Sequence, residues 1–568
     1  MKIKSLFLSM SVALTLVGCN SVEEPNGGTD TPAGGTGYVA VNIVQPKAAG
    51  TRATGDFENG SAAENNASEG LFFILNAGGD VQTIDGKTAQ RVSLEGEGSM
   101  TKPAVERIYN AVLLIDGVEN DPTSQAKYIV CILNAPAGLE TGVTNLSDLQ
   151  AKVADYCTDH ITDGTFVMSN SVYRDASDNM IIGTPVTADK IKKSQIEATS
   201  DPVEIYVERV VAKVRAAEKD GGITNEGAKV TVDGVEHTYK INIKGMTLAN
   251  LTDKAYLIKN LPATFTTTAT WVWNDPENRR SFWEVLPDGT NAAQKVTVNK
   301  QSWDDIESDT HYTPTNPVNG KYCFNQYILP NTFSKGYTGG NTVKDNSTIN
   351  TAIVIAAQLT ETVDGTAKPA DLVWIRGGYT TNNGALTTVA KSVATVYSDY
   401  YKKTGENSYS QLAAEDFTWI GVEGEGYSCY AKLKDQFGTD NKIYKKTGEN
   451  TYVEETNGVT TVNTYLSTPV NNLKARKYTD GKCYYYVEIE HVAGTTGANP
   501  TAAIKGVVRN HIYDLTLNSI QGIGIPVFDP TDQNIPEDPQ DDNLFYLGAR
   551  VNVLDWRLVS QGVDFGKN

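Results

Sequence analysis

Apolar residues along this chain come in short runs, many with a period of two, bounded by Asn, Gly, Pro and Thr. That pattern belongs to strands with one or both faces buried. Val39, Val41 and Ile43 alternate with Ala40, Asn42 and Val44 and predict an opening strand over 38–45. The runs 71–75 (LFFIL), 108–115 (IYNAVLLI) and 128–133 (YIVCIL) predict three more. Over 145–156 the residues Leu146, Leu149, Val153 and Ala154 share one face of a helix, with Asn145 or Ser147 as its cap. After the polar stretch 187–202 a second series of strands begins. Segments 203–214 (VEIYVERVVAKV) and 239–251 are expected to pair across a turn-rich insertion, and further strands fall at 322–329, 351–359, 484–492 and 511–520. The long Asn/Gly/Thr-rich insertions between them are expected to be loops or small hairpins. Two series of short strands predict an all-β chain of two β-sandwiches, 38–200 and 201–525, because large twisted sheets split or curl.

Both ends of the chain stand apart from this pattern. Lys2 and Lys4 precede an apolar stretch over 6–17, and Leu16-Val17-Gly18-Cys19 resembles a lipobox. Residues 1–19 therefore read as a lipoprotein signal peptide, with Cys19 as the lipidated residue, its acyl chains anchoring the precursor in a membrane. Residues 20–37 are Gly, Pro, Thr, Asn and acid, a flexible tether with little to bury. Glu23 and Glu24 resemble the export signals of surface lipoproteins. No other stretch approaches the roughly 18 apolar residues of a membrane span. At the other end, 526–543 is rich in Pro and acids and reads as a semi-extended linker. The segment 544–568 beyond it is apolar again. Val551 and Val553 lie on one phase and Leu554, Trp556 and Leu558 on the other, so a bulge or a meeting of two strands is expected near Leu554. An apolar strand behind a tether reads as a donor strand.

Charge and reactive residues narrow the function classes. A formal net charge of -19 works against nucleic acid as partner, since phosphate binding needs clustered Lys and Arg. Of the six cysteines, at 19, 131, 157, 323, 429 and 483, lipid takes the first. The other five match no zinc or redox spacing and read as mostly buried free thiols, one pairing staying open. The five histidines form no metal-binding pair. Gly421, Gly424 and Gly426 lack a phosphate-loop context and read as a turn. No two carboxylates are marked out as a glycosidase pair, and the acids from Asp529 to Asp542 lack calcium-loop order. No catalytic residue, metal or cofactor is expected. The heptapeptide at 401–407, YKKTGEN, recurs at 444–450 and reads as two similar turns, with ligand reading as the lesser alternative.

Several of these pieces together resemble the Bacteroidales fimbrillins, the subunits of type V pili, and most closely the shaft subunit of the minor (Mfa-type) fimbria. The likeness rests on the lipobox and tether, on Gly50-Thr51-Arg52-Ala53 after the opening strand, on YIVCILNAP over 128–136 and on VERVVAKV over 207–214. It continues through ILPNT over 328–332 and VVRNHIYDLTLNSI over 507–520, ending with VNVLDW and Val563-Asp564-Phe565. The resemblance implies two transthyretin-like Greek-key sandwiches, an outer-membrane lipoprotein precursor, and cleavage between Arg52 and Ala53 by an arginine-specific protease. It implies that loss of the first strand opens a groove for another subunit's C-terminal strand. Polymers of the chain and other fimbrial subunits would then stand on the cell surface in adhesion and biofilm formation. The adhesion receptor is not implied, and Lys47 is an alternative cut site. Two other readings stand beside this one: a tip adhesin or monomeric surface lipoprotein binding glycan or host protein, and a surface glycoside hydrolase.

Overall fold

The computed structural model describes residues 37–46, 60–61, 63–84, 86–97, 105–115, 126–155, 166–174, 180–219, 227–261, 284–287, 296, 298–315, 317–332, 350–423, 425–439, 441–492, 504–520, 522–536, 547–555 and 557–565. The chain is predominantly β. Its first sheet has nine strands, among them β1 (Gly37–Pro46), β2 (Glu69–Leu75), β3 (Gln90–Ser93), β4 (Glu95–Glu97), β5 (Val105–Ile115), β6 (Tyr128–Leu133), β7 (Met168–Asn170) and β8 (Val203–Arg209), in the order β3-β2-β6-β7-β8-β1-β5-β4. The sheet turns over on itself. One apolar cluster joins Phe72 and Ile74 of β2 and Ile129, Cys131 and Leu133 of β6 to Val39, Val41 and Ile43 of β1 and Ile205 of β8. The alternate residues Leu71, Phe73, Val130 and Ile132 enter a second cluster on the opposite face. Burial on both faces explains why these two strands are continuously apolar.

The helix expected over 145–156 is only α1 (Leu146–Gln150). Asn145 caps it in a reciprocal pair, accepting from the Asp148 N–H at 3.0 Å while the Asp148 carboxylate accepts from the Asn145 N–H at 3.2 Å. Val153–Asp155 is a strand instead, paired antiparallel with Lys254–Tyr256, so tertiary pairing overrides the helical spacing.

The segment 203–214 does not form one strand paired with 239–251. Its first half is β8, hydrogen-bonded within the first sheet, and its second half opens β9 (Ala212–Glu218) in another. Val210 and Val211, both buried, carry the chain between sheets, and they pack in the cluster that also holds Leu71, Leu257, Leu329 and Ile512. The long strand β10 (Val235–Ala249) pairs instead with β12 (Ala352–Val363), while β11 (Tyr322–Ile328) flanks β9. The core between these sheets joins Val214 of β9 and Phe324 of β11 to Ile241, Ile353 and Ile355.

The insertions expected to be loops hold a third packed unit. Within it lie α2 (Asn382–Val396) and α3 (Gly458–Ser467). Leu386, Val389, Ala390 and Val393 supply the i, i+3, i+4, i+7 face of α2, and Thr381 caps it by accepting from the Gly384 N–H at 3.1 Å. These residues pack with Val462 and Leu466 of α3 and with Phe417, Ala431 and Leu433. The expected linker is also packed at its start. Ile525–Pro526 pairs with the strand Lys482–Glu488, and Val527 and Ile535 are buried beside Trp303, so the semi-extended linker expected over 526–543 does not hold for 526–536. The four described cysteines, Cys131, Cys323, Cys429 and Cys483, are free and buried, and burial pushes Cys323 up to about 11 and Cys429 up to about 12.

Candidate functional site

The opening strand occupies the interior of its sheet. β1 runs antiparallel to β5 from Gly37↔Ile115 to Gln45↔Arg107 and parallel to β8 from Val41↔Val203 to Val44↔Tyr206. Ahead of the β8 pairing, the Tyr38 N–H donates to the Lys192 carbonyl and the Lys192 N–H to the Tyr38 carbonyl, both at 2.8 Å. Both edges of β1 are thus in use. Val39, Val41 and Ile43 are fully buried in the core below. At ~1.5–3 kcal/mol per side chain of this size, an empty slot would forgo roughly 4.5–9 kcal/mol of burial along with two ladders of hydrogen bonds. Such a slot is a template for any strand of matching pattern.

After the first strand the described chain resumes at residue 60 and is bonded into the core. The buried Glu64 carboxylate accepts from Lys213 Nζ at 2.9 Å and from Tyr327 Oη at 2.6 Å. Burial by itself would raise its pKa, but Lys213, Tyr327 and the Ser61 N–H hold it down to about 2. Arg209, the last residue of β8, donates from Nε to the Glu64 carbonyl at 2.9 Å and from Nη1 to Asn510 Oδ1 at 3.1 Å, and it also bonds the Asn65 side chain. Tyr109 of β5 donates to the Asn65 carbonyl at 2.5 Å and accepts from the Ala67 N–H at 2.8 Å. Residues 64–67 therefore tie together the two strands that flank β1. Sequence reasoning missed this clamp, since a single glutamate in a polar segment carries no signal of its burial.

Beyond β13 (His511–Ile520) the tail forms two strands, β14 (Leu547–Asp555) and β15 (Arg557–Phe565), that meet next to Leu554. They pair antiparallel with each other, and β15 lies parallel to β13 from His511↔Arg557 to Ile520↔Phe565. The backbone of Val551, Val553, Leu554 and Leu558 lies in this hairpin, and Trp556 lies outside the described residues. So do Cys19, Lys47, Arg52 and Ala53. Among the described residues no three His, Cys, Asp or Glu side chains are grouped to hold a metal ion.

Residues 476–562, which span β13, β14 and most of β15, match the family described as major fimbrial subunit protein type IV, fimbrillin, C-terminal. No curated protein matches the chain. Among solved structures it is similar to a fimbrilin from Porphyromonas gingivalis W83, at 12% identity over 93% of this chain and 97% of that one, with a TM-score of 0.34. A fimbrial assembly protein from Parabacteroides distasonis ATCC 8503 gives 10% identity over 72% and 99%, with a TM-score of 0.27. The tip fimbrial protein Mfa3 from Porphyromonas gingivalis gives 12% over 58% and 81%, at 0.28.

Proposed function

From its fimbrillin C-terminal region, we infer that this chain is a structural subunit of a cell-surface fimbria, with a role in architecture and not in catalysis. The observation that carries the reading is that match over 476–562. We propose further that it polymerises by donor-strand exchange. In this reading Cys19 anchors the precursor to the outer membrane, β1 completes the first sandwich during storage, and an arginine-specific protease cuts between Arg52 and Ala53. Release of β1 then leaves a slot with two open edges over an apolar core, which only another strand can refill. The tail of a neighbouring subunit, with Val551 and Val553 or Leu554, Trp556 and Leu558 as its inward residues, is the proposed occupant. The burial of Val39, Val41 and Ile43 between β5 and β8 supports this, because it makes β1 costly to lose and specific to replace. In the subunit before exchange, the same tail lies against β13 of its own chain. The test is deletion of 544–568. The shortened chain is expected to fold and be cut normally but to form no SDS-resistant ladder, and ladders from it would sink the donor-strand assignment.

A further inference from the structure

The repeated peptide is longer than a heptapeptide and is built into one site. YKKTGENSY over 401–409 recurs as YKKTGENTY over 444–452, differing only at Ser408 and Thr451. The two copies form adjacent hairpins, Tyr400–Lys403 with Tyr409–Ser410, and Ile443–Gly448 with Thr451–Glu454, in one four-stranded sheet. The copies pair with each other about a local two-fold axis. Tyr401 stands opposite Tyr444 at the centre, Tyr400 opposite Lys445 and Lys402 opposite Ile443, and the outer pairs Lys403↔Tyr409 and Lys446↔Tyr452 correspond.

One face of this sheet is anchored, with Tyr400 and Ile443 buried in the core of the inserted unit. The alternate positions place Tyr401, Tyr409, Tyr444 and Tyr452 together on the outer face, with Lys403 and Lys446 beside them. The four rings contact one another: Tyr409 stacks on Tyr452 at 4.1 Å between centroids, Tyr401 meets Tyr452 edge-on at 5.1 Å, and Tyr409 meets Tyr444 at 5.2 Å. All four rings stay half-exposed, and none of their phenol oxygens bonds another described residue. Mutual ring packing accounts for the tyrosines, and Gly405 and Gly448 suit the turns. Neither accounts for Lys403, Glu406, Lys446 and Glu449, identical in both copies, exposed, and without an ion-pair partner among the described residues. The other lysines of the repeat are different: Lys402 is paired with Asp416 and Lys445 with Asp399.

We propose that this face is a contact between copies of the chain. The exposed, uncommitted charges of the repeat are Lys403 and Lys446 on this face and Glu406 and Glu449 in the two turns that border it, a balanced set on a molecule of net charge -19 whose copies otherwise repel. A two-fold arrangement of equal positive and negative groups around exposed tyrosines complements itself, as an isologous interface requires. Tyrosine is also the residue type that interfaces favour, giving a large rigid contact with a polar tip. The face is small, so one contact is weak and transient. Where many subunits are aligned in a polymer, as the fimbrial reading supposes, the contacts add and hold neighbouring fimbriae side by side.

The experiment is sedimentation of the full chain with paired charge reversals. The unaltered chain is expected to show a concentration-dependent sedimentation coefficient. The pair Lys403→Glu with Lys446→Glu should lose that dependence, as should the pair Glu406→Lys with Glu449→Lys, and an equimolar mixture of the two variants should regain it. All four positions are exposed, so the fold is not at stake. A monomer at every concentration, or a mixture that fails to regain association, overturns the proposal. So does binding of dextran or polygalacturonate that Tyr409→Ser abolishes while sedimentation is unchanged, which would assign the face to glycan. SDS-resistant ladder formation, measured in the same variants, reports on the fimbrial reading alone and is expected to be unaffected.

Discussion

Glu64 shows how far one side chain's role here depends on partners distant in sequence. Its carboxylate is buried beside Lys213 and Tyr327, contributed by two different strands, and its own backbone carbonyl holds Arg209. Removing its charge leaves the Lys213 ammonium buried and unmatched. Glu64→Gln is therefore expected to cost about 3–5 kcal/mol in urea unfolding, the range for breaking a buried ion pair. The pH dependence has a definite sign. With a folded pKa of about 2 against an ordinary value of 4.5, this group's contribution is complete above the ordinary value and is lost as pH falls through the interval between them. Unfolding midpoints measured across that interval should fall more steeply in the unaltered chain than in Glu64→Gln.

At the scale of the element, β1 is locally ordinary and globally central. Its alternation of Val39, Val41 and Ile43 would suit any half-buried strand, but its place between β5 and β8 makes it the strand whose departure opens the sheet on two edges. Arg52→Ala is expected to give a lipid-anchored monomer that keeps its first strand, with Lys47→Ala as the comparison that is cut normally. N-terminal sequencing and ladder assays check both, and normal fimbriae from the Arg52 variant would remove that residue as the switch. The helix α2 was missed for a related reason. Its apolar face is spelled out by Leu386, Val389, Ala390 and Val393, but the surrounding Asn, Gly and Thr read as loop until the residues that cover that face are known. The pairing of the two YKKTGEN copies was likewise hidden, because a repeat in the sequence does not say that its copies meet.

Across the whole molecule, the later strand series encloses a buried polar core as well as an apolar one. Arg509 and Glu284, both fully buried, pair at 2.6 Å between Nη2 and Oε2, and Arg509 also donates to the carbonyls of Leu257 and Tyr256 at 3.0 and 2.6 Å. Nearby, burial pushes the Lys259 ammonium's pKa down against the pull of Glu208 and Glu284. Arg509→Ala is expected to destabilise the chain by about 3–5 kcal/mol, whereas replacing both partners by Leu should recover part of that loss. Urea unfolding of the single and double variants separates the two outcomes.

Local periodicity and composition were enough to specify a predominantly β chain, the places of many of its longer strands, and a set of mostly buried free thiols, of which the four described are free and buried. The sequence also carried the family likeness through 507–520 and the closing tail, which lie within the fimbrillin match or at its end. Packing in three dimensions was needed to divide VEIYVERVVAKV between two sheets at Val210–Val211, to make 153–155 a strand, and to pack the Pro-rich start of the expected linker. Each of those outcomes is set by which distant strand supplies hydrogen bonds and covers apolar surface. A period of two or 3.6 specifies a face to be buried, and long-range packing alone specifies what buries it.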